Sequence, residues 1–227
     1  MAKSLKIARK VQNADSRSQS NNDETQQYFT SEPTSQDIRR KLHVTLRDYD
    51  LDVETSTGVF STHRVDLGTS VLLRHAPELA VPNGANLLDV GCGWGPLSLA
   101  MALEAPEAKV WSIDTNTRAI ELTTHNASLN NITNIHACAI DEVPANIQFD
   151  CIWSNPPIRV GKQILHEILL MWIPRLKPQG SAYLVVQKNL GSDSLIPWLQ
   201  TQLGESYTVS KYASSKGYRV IEVIREA

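Results

Sequence analysis

From residue 86 onward, short apolar runs alternate with longer stretches whose apolar side chains return every three or four positions. Asn86–Val90, Lys109–Ile113, Asn134–Ala139, Phe149–Ser154 and Gly180–Val186 are short and rich in apolar residues, as strands buried on both faces are. Leu97–Glu104, Thr117–Leu129, Lys162–Leu176 and Ser194–Leu203 carry the helical period between them. Alternation of this kind predicts an α/β fold: a doubly wound, mostly parallel, seven-stranded sheet with right-handed crossovers. The last two strands, Tyr207–Tyr212 and Tyr218–Ile224, flank a Ser214–Gly217 turn and predict a C-terminal antiparallel hairpin at the sheet edge.

Upstream the pattern changes. Val44, Leu46, Tyr49, Leu51 and Val53 surround an Asp48–Asp50 turn, which predicts a small hairpin from His43 to Glu54. A helix is expected over Asp66–Leu79, with Leu67, Val71, Leu72 and His75 on one face. Residues 12–36 are dominated by Ser, Asn, Gln, Asp, Glu and Thr, too polar to offset the entropy of ordering. The expectation is a disordered polar tail over 1–40 and one domain over 41–227. Lys3, Lys6, Arg9 and Lys10 interrupt any secretory apolar stretch and read as a solvated basic tail.

Charge narrows the function classes. The 22 Lys and Arg against 24 Asp and Glu give a net charge of -2, which excludes a uniformly basic nucleic-acid binder but leaves room for a local basic patch. The longest apolar run, Ile168–Ile173, is far too short to span a bilayer, so no membrane partner is expected. Cys92, Cys138 and Cys151 are odd in number and lack a C-x-x-C spacing. A disulfide framework or cysteine zinc site is not expected; a reducing, cytoplasmic setting is. No cluster has metal-ligand spacing.

The chemistry concentrates in two places. In Leu87-Leu88-Asp89-Val90-Gly91-Cys92-Gly93-Trp94-Gly95-Pro96, an aliphatic strand ends in an acid and turns into a helix through three alternate glycines. Glycine is needed where φ is positive or a ligand must approach backbone without meeting a Cβ. The G-x-G-x-G spacing is not the G-x-G-x-x-G of dinucleotide sites, and Asp89 would repel phosphate. Asp114, ending the next strand, can accept hydrogen bonds from both hydroxyls of a ribose, or merely cap the next helix. Together they describe an adenosine-type ligand without phosphates, S-adenosylmethionine. Cys92 and Thr115 stand beside these residues in the chain and are placed with them at the cofactor. Asp89–Gly95 and Asp114 resemble the first two motifs of class I S-adenosylmethionine-dependent methyltransferases, over roughly Thr57 to Ala227.

The second place is Asn155-Pro156-Pro157-Ile158, just beyond a strand. Two prolines fix the chain and remove two amide donors, leaving the Asn155 and Pro156 carbonyls to accept from an amine. A conjugated exocyclic amine is a poor nucleophile, so holding its N–H groups in near-attack geometry is a route to catalysis. The bland reading is a Pro-rich turn. Asn155-Pro156-Pro157 is similar to the tetrad of amino-group methyltransferases, which commonly have an aromatic residue fourth. Ile158 departs from that pattern, and Asn155–Lys162 resembles the version in bacterial 16S rRNA guanine-N2 methyltransferases and their short single-domain relatives. Gly58–Thr69 resembles a segment that the family carries before the glycine loop, which implies that Phe60, Asp66 and Thr69 lie near the methionine end of the cofactor or the target base. By the same resemblance Asp141 is a candidate near the adenine amine, and Arg159 and Lys162 are candidates for RNA phosphate.

The resemblance implies methylation of guanine N2 in ribosomal RNA, free or in the small subunit. The rivals are a protein glutamine-amide methyltransferase and a non-catalytic RNA- or protein-binding module. The longer family members carry an extra N-terminal domain, in whose place this chain has about 40 tail residues. Oligomeric state is not legible.

Overall fold

A computed structural model of the protein describes residues 35–157 and 161–227, with the side chain of Leu190 excepted. The expected tail therefore falls almost wholly outside the described residues, as do Ile158 and Arg159.

Seven strands form one sheet: β3 (Asn86–Val90), β4 (Lys109–Ile113), β5 (Ile135–Cys138), β6 (Phe149–Ser154), β7 (Leu176–Gln187), β8 (Tyr207–Ser215) and β9 (Tyr218–Arg225). Their order is β5-β4-β3-β6-β7-β9-β8. β9 runs antiparallel to both neighbours, and the other pairs are parallel. The C-terminal hairpin thus closes the sheet at its edge, with antiparallel β9 beside β7 and β8 outermost. The chain first winds outward from β3 through β4 to β5, then returns to the other side of β3 with β6. That reversal opens a crevice at the carboxyl ends of the strands.

Adjacent residues on each strand face opposite cores. Leu87, Cys151, Trp153, Tyr183 and Val220 pack under α1 (Leu67–His75), α2 (Pro96–Glu104) and α3 (Thr117–Leu129). Leu88, Ile152, Leu184 and Ile221 pack under α4 (Lys162–Trp172) and α5 (Ser192–Leu203). Burial on both faces explains why apolar residues follow one another along these strands. Proline sets two boundaries short of expectation. α1 ends at His75 because Pro77 holds Ala76 in extended backbone (ψ 142°). α4 gives way at Trp172 to a short 3₁₀ turn around Pro174, and Leu176 already belongs to β7.

The N-terminal hairpin pairs β1 (Arg39–Leu46) with β2 (Tyr49–Ser56) and begins slightly before the expected boundary. Buried Asn126 on α3 docks it, accepting from the Glu54 amide at 2.7 Å and donating to the Glu54 carbonyl at 2.9 Å and that of Trp94 at 2.8 Å. Beyond β2, Asn116 donates to the Gly58 carbonyl at 2.7 Å and Arg118 to the Thr57 carbonyl at 2.7 Å. The hairpin thereby carries the Gly58–Ser61 loop to the mouth of the crevice.

Candidate active site

Three strand ends lie side by side: Val90 pairs with Ile113 on one side and Ser154 on the other. The next residue of each strand is Gly91, Asp114 or Asn155, so register alone gathers the glycine loop, the second acid and the Asn-Pro-Pro element. They line one cavity of about 490 Å³.

Gly91 and Gly93 adopt φ of +81° and +58°, and a Cβ on either would project into open space. Their backbone is laid bare to whatever fills the cavity. Gly95 differs: at φ +96° it precedes α2, and a Cβ would stand 3.0 Å from the Thr123 hydroxyl. It serves helix packing. The Asp114 carboxylate accepts from the Gly93 amide at 3.0 Å and the Asn116 amide at 2.9 Å, which ties the loop to β4. Burial pushes its carboxyl up, while these backbone donors pull it back. Engaged by the Gly93, Asn116 and Thr115 amides, the carboxylate still retains acceptor capacity for a hydroxyl group.

Asp89, expected beside the ligand, is fully buried beneath the loop and is not part of the cavity wall. One oxygen accepts from the Ser98 hydroxyl of α2 at 2.5 Å; the other has no hydrogen-bond partner. Burial, opposed by Ser98 and reinforced by Asp114, raises its carboxyl to about 7. Cys92 and Thr115 line the cavity, and burial holds the Cys92 thiol well above its ordinary range. Asp141 sits exposed on a 3₁₀ turn, and its neighbour Ile140 faces the cavity instead. Lys162 is exposed at the start of α4, outside the cavity.

On the opposite wall, Asn155 donates its amide hydrogens to Asp66 at 2.9 Å and to the Thr69 hydroxyl at 3.1 Å. Asp66 is also the cap of α1, accepting from the Gly68 and Thr69 amides. Phe60, half exposed, lines the same mouth. Residues that sequence reasoning missed complete the walls: Met171 and Trp172 from α4, Gln187 from β7 and Tyr218 from β9. Tyr218 reaches the site because β9 is inserted beside β7, and no local pattern announces that.

The cavity suits the adenosine-type cofactor that the resemblance implies. Two glycines leave room where side chains would intrude, an acid with spare acceptor capacity stands at the second strand, and Ile140, Met171 and Trp172 offer an apolar wall. Among the described residues no cluster of His, Cys, Asp or Glu is arranged to hold a metal ion, and no helix is long and apolar enough to cross a membrane.

Comparison with known proteins agrees with this geometry. A family profile described as the methyltransferase small domain matches residues 50–222. YbxB of Bacillus subtilis, an uncharacterized protein, is 34% identical over 201 residues, covering 87% of this chain and 98% of that protein. The ribosomal RNA small subunit methyltransferase C of Hahella chejuensis is 30% identical over 83% of this chain and 55% of its own length. A T. thermophilus 16S rRNA N2 methyltransferase, solved with AdoMet and guanosine, superposes with a TM-score of 0.72 at 23% identity, a likeness of fold. It is covered over 52% of its length, so this chain spans about half of each of these two rRNA methyltransferases.

Proposed function

The chain belongs to the S-adenosylmethionine-dependent methyltransferase small domain family, and from that premise we propose that it methylates N2 of a guanine in ribosomal RNA. The observation that carries the acceptor class is the state of Asn155. Both hydrogens of its NH2 are taken by Asp66 and Thr69, so the side chain has only a carbonyl oxygen to offer a ligand. An exocyclic amine, with two N–H donors, is the complementary group.

The cofactor supplies an electrophilic methyl carried on sulfonium; the chain's residues do the rest. Gly91 and Gly93 would leave room for its close approach, Asp114 would accept from its ribose, and Ile140, Met171 and Trp172 would pack on the faces of its adenine ring. Asn155 Oδ1 and the Pro156 carbonyl accept the two amine N–H groups, holding the nitrogen at near-attack distance and favouring its pyramidal form. Prolines at 156 and 157 leave no backbone N–H to compete for those acceptors. The proton departs after transfer, so no strong base is required. Guanine N2 is hard to reach in a stacked helix, so the base enters flipped or single-stranded, between Phe60 and Tyr218 at the mouth.

Charge supports RNA as the carrier of that base. On the acceptor side, Arg64, Lys162, Lys188 and Lys216 are all exposed, while two nearby acids are engaged, Asp66 by Asn155 and Asp193 by Arg219. The Lys188 amide donates to the Gly217 carbonyl, which joins the segments that carry Lys188 and Lys216. A chain of net charge -2 thus presents cations where a phosphate backbone would pass. Incubation of the full chain with ribosomal RNA and methyl-labelled S-adenosylmethionine, followed by nucleoside mapping, tests the assignment. Label in N2-methylguanosine is expected; label in protein glutamine, or none in RNA, overturns it.

A further inference from the structure

We propose that Asp66 is a positioning residue for methyl transfer, which together with Thr69 fixes and polarises the Asn155 amide toward the acceptor amine. The inference rests on the amine-methylation reading above and adds a residue to it. Asp66 lies 89 positions from Asn155, yet its Oδ2 receives the Asn155 Nδ2–H at 2.9 Å, with Thr69 Oγ1 taking the other hydrogen at 3.1 Å. The same Oδ2 accepts from the Gly68 amide at 2.8 Å and the Thr69 amide at 3.3 Å. The carboxylate is therefore held by the first turn of α1 and cannot swing away.

Gly68 makes the junction possible. A Cβ there would stand 3.0 Å from Asp66 Oδ2, 3.1 Å from Asn155 Oδ1 and 3.0 Å from Tyr218 Cε1. The absence of a side chain lets the Asn-Pro-Pro loop sit directly against the helix start.

Two physical consequences follow. First, orientation: a carboxylate can only accept, so the NH2 end of Asn155 must face it and the oxygen must be the end left over. Without that partner the amide turns over at little cost and presents N–H to an incoming N–H, which repels. Second, polarisation: an amide whose hydrogens bond to an anion becomes a stronger acceptor at its oxygen, through cooperative hydrogen bonding. As the amine attacks, positive charge grows on its nitrogen, at the far end of the chain from Asp66 through Asn155. The interaction thus strengthens in the transition state, which is the requirement for raising kcat.

The test separates this role from helix capping. Asp66→Ser keeps a good N-cap but is too short to reach Asn155; Asp66→Asn keeps both the cap and an acceptor oxygen. For Asp66→Ser, kcat on ribosomal RNA is expected to fall about 10–100-fold, with KM, melting temperature and S-adenosylhomocysteine affinity held. Asp66→Asn should recover most of the loss. In ¹⁵N spectra the Asn155 side-chain NH2 pair, assigned with Asn155→Asp, should be protected in the parent, exchange freely in Asp66→Ser and regain protection in Asp66→Asn. An unchanged kcat overturns the proposal, as does a fall matched by reduced melting temperature and cofactor affinity. If the parent shows the protected pair but methylates no guanine, the substrate assignment fails and the hydrogen-bonded lock stands.

Discussion

The two walls of the cavity are built in opposite ways. The donor wall is built around one βαβ unit, β3, the glycine loop, α2 and β4, with Asp114 tied to Gly93 by a hydrogen bond, and Ile140, Met171 and Trp172 add its apolar side. The acceptor wall is assembled from four distant segments: the loop after β2, the start of α1, the end of β6 and the start of β9. Their electrostatics differ too. Acids stand on the donor side at Asp114, Asp141 and Glu142, whereas on the acceptor side the carboxylate of Asp66 is taken up by Asn155 and the α1 amides and the exposed rim carries Arg64, Lys162, Lys188 and Lys216. A wall that serves a common cofactor can keep its polar contacts within one local unit. A wall that must fit one target gathers side chains from across the fold.

If the walls divide the labour this way, a change on each should separate turnover from cofactor binding. The largest effect is expected at Asn155→Ala: kcat should fall by about 10²–10³, as for loss of one transition-state hydrogen-bond partner. Calorimetric affinity for S-adenosylhomocysteine should stay within about twofold, since the change leaves Gly91, Gly93 and Asp114 untouched. Normal turnover would remove Asn155 from the chemistry. The reciprocal change, Asp114→Ala, should weaken that affinity by about 10–100-fold, the cost of hydrogen bonds to a charged acceptor. Because Asp114 also holds the Gly93 amide, the loop should loosen, visible as faster amide exchange at Gly93. Unchanged affinity would take Asp114 out of the site.

The same contrast explains what can be read from the chain alone. β3, β4, α3 and β6 match their expected limits because apolar runs and turn residues fix them locally. Gly91, Gly93 and Asp114 are legible for the same reason. Asp89 reads as facing the ligand because its position in the motif is visible and its rotation is not; Ser98, in the first turn of α2, captures it. Tyr218 and Gln187 depend on β9 entering the sheet beside β7, a long-range pairing that no window reveals. The hydrogen bond between Asp66 and Asn155 joins segments 89 positions apart and is equally hidden. In the sequence Asp66 shows only as a cap candidate and, by resemblance, as a neighbour of the cofactor or base.

A smaller effect is expected at the rim. Lys188→Ala with Lys216→Ala should weaken binding of a single-stranded ribosomal RNA fragment several-fold at about 0.1 M salt. The plot of log affinity against log salt should become shallower by about 0.7 for each phosphate that is no longer neutralised. S-adenosylhomocysteine binding serves as the internal control, because both lysines lie outside the cavity wall. Parent-like affinity with an unchanged slope would mean that RNA approaches over another face.

The last effect, on stability rather than on turnover or binding, concerns Asp89 and bears on which strand-end carboxylate the donor wall depends on. Its carboxyl is raised from an ordinary 3.8 to about 7, chiefly by burial. Between those values the folded protein holds a proton that the unfolded chain has released. Folding then takes up protons, so this group costs increasing stability as pH rises through that window and a constant amount above it. Asp89→Asn cannot titrate, yet its amide oxygen can still accept from Ser98. The melting temperature of the variant relative to the parent should therefore climb between about pH 4 and pH 7 and then level off, with cofactor affinity within about threefold. A difference that does not vary with pH would mean that Asp89 is not held protonated. A tenfold loss of affinity would return this acid to the ligand, and the donor wall would then rest on both strand-end carboxylates rather than on Asp114 alone.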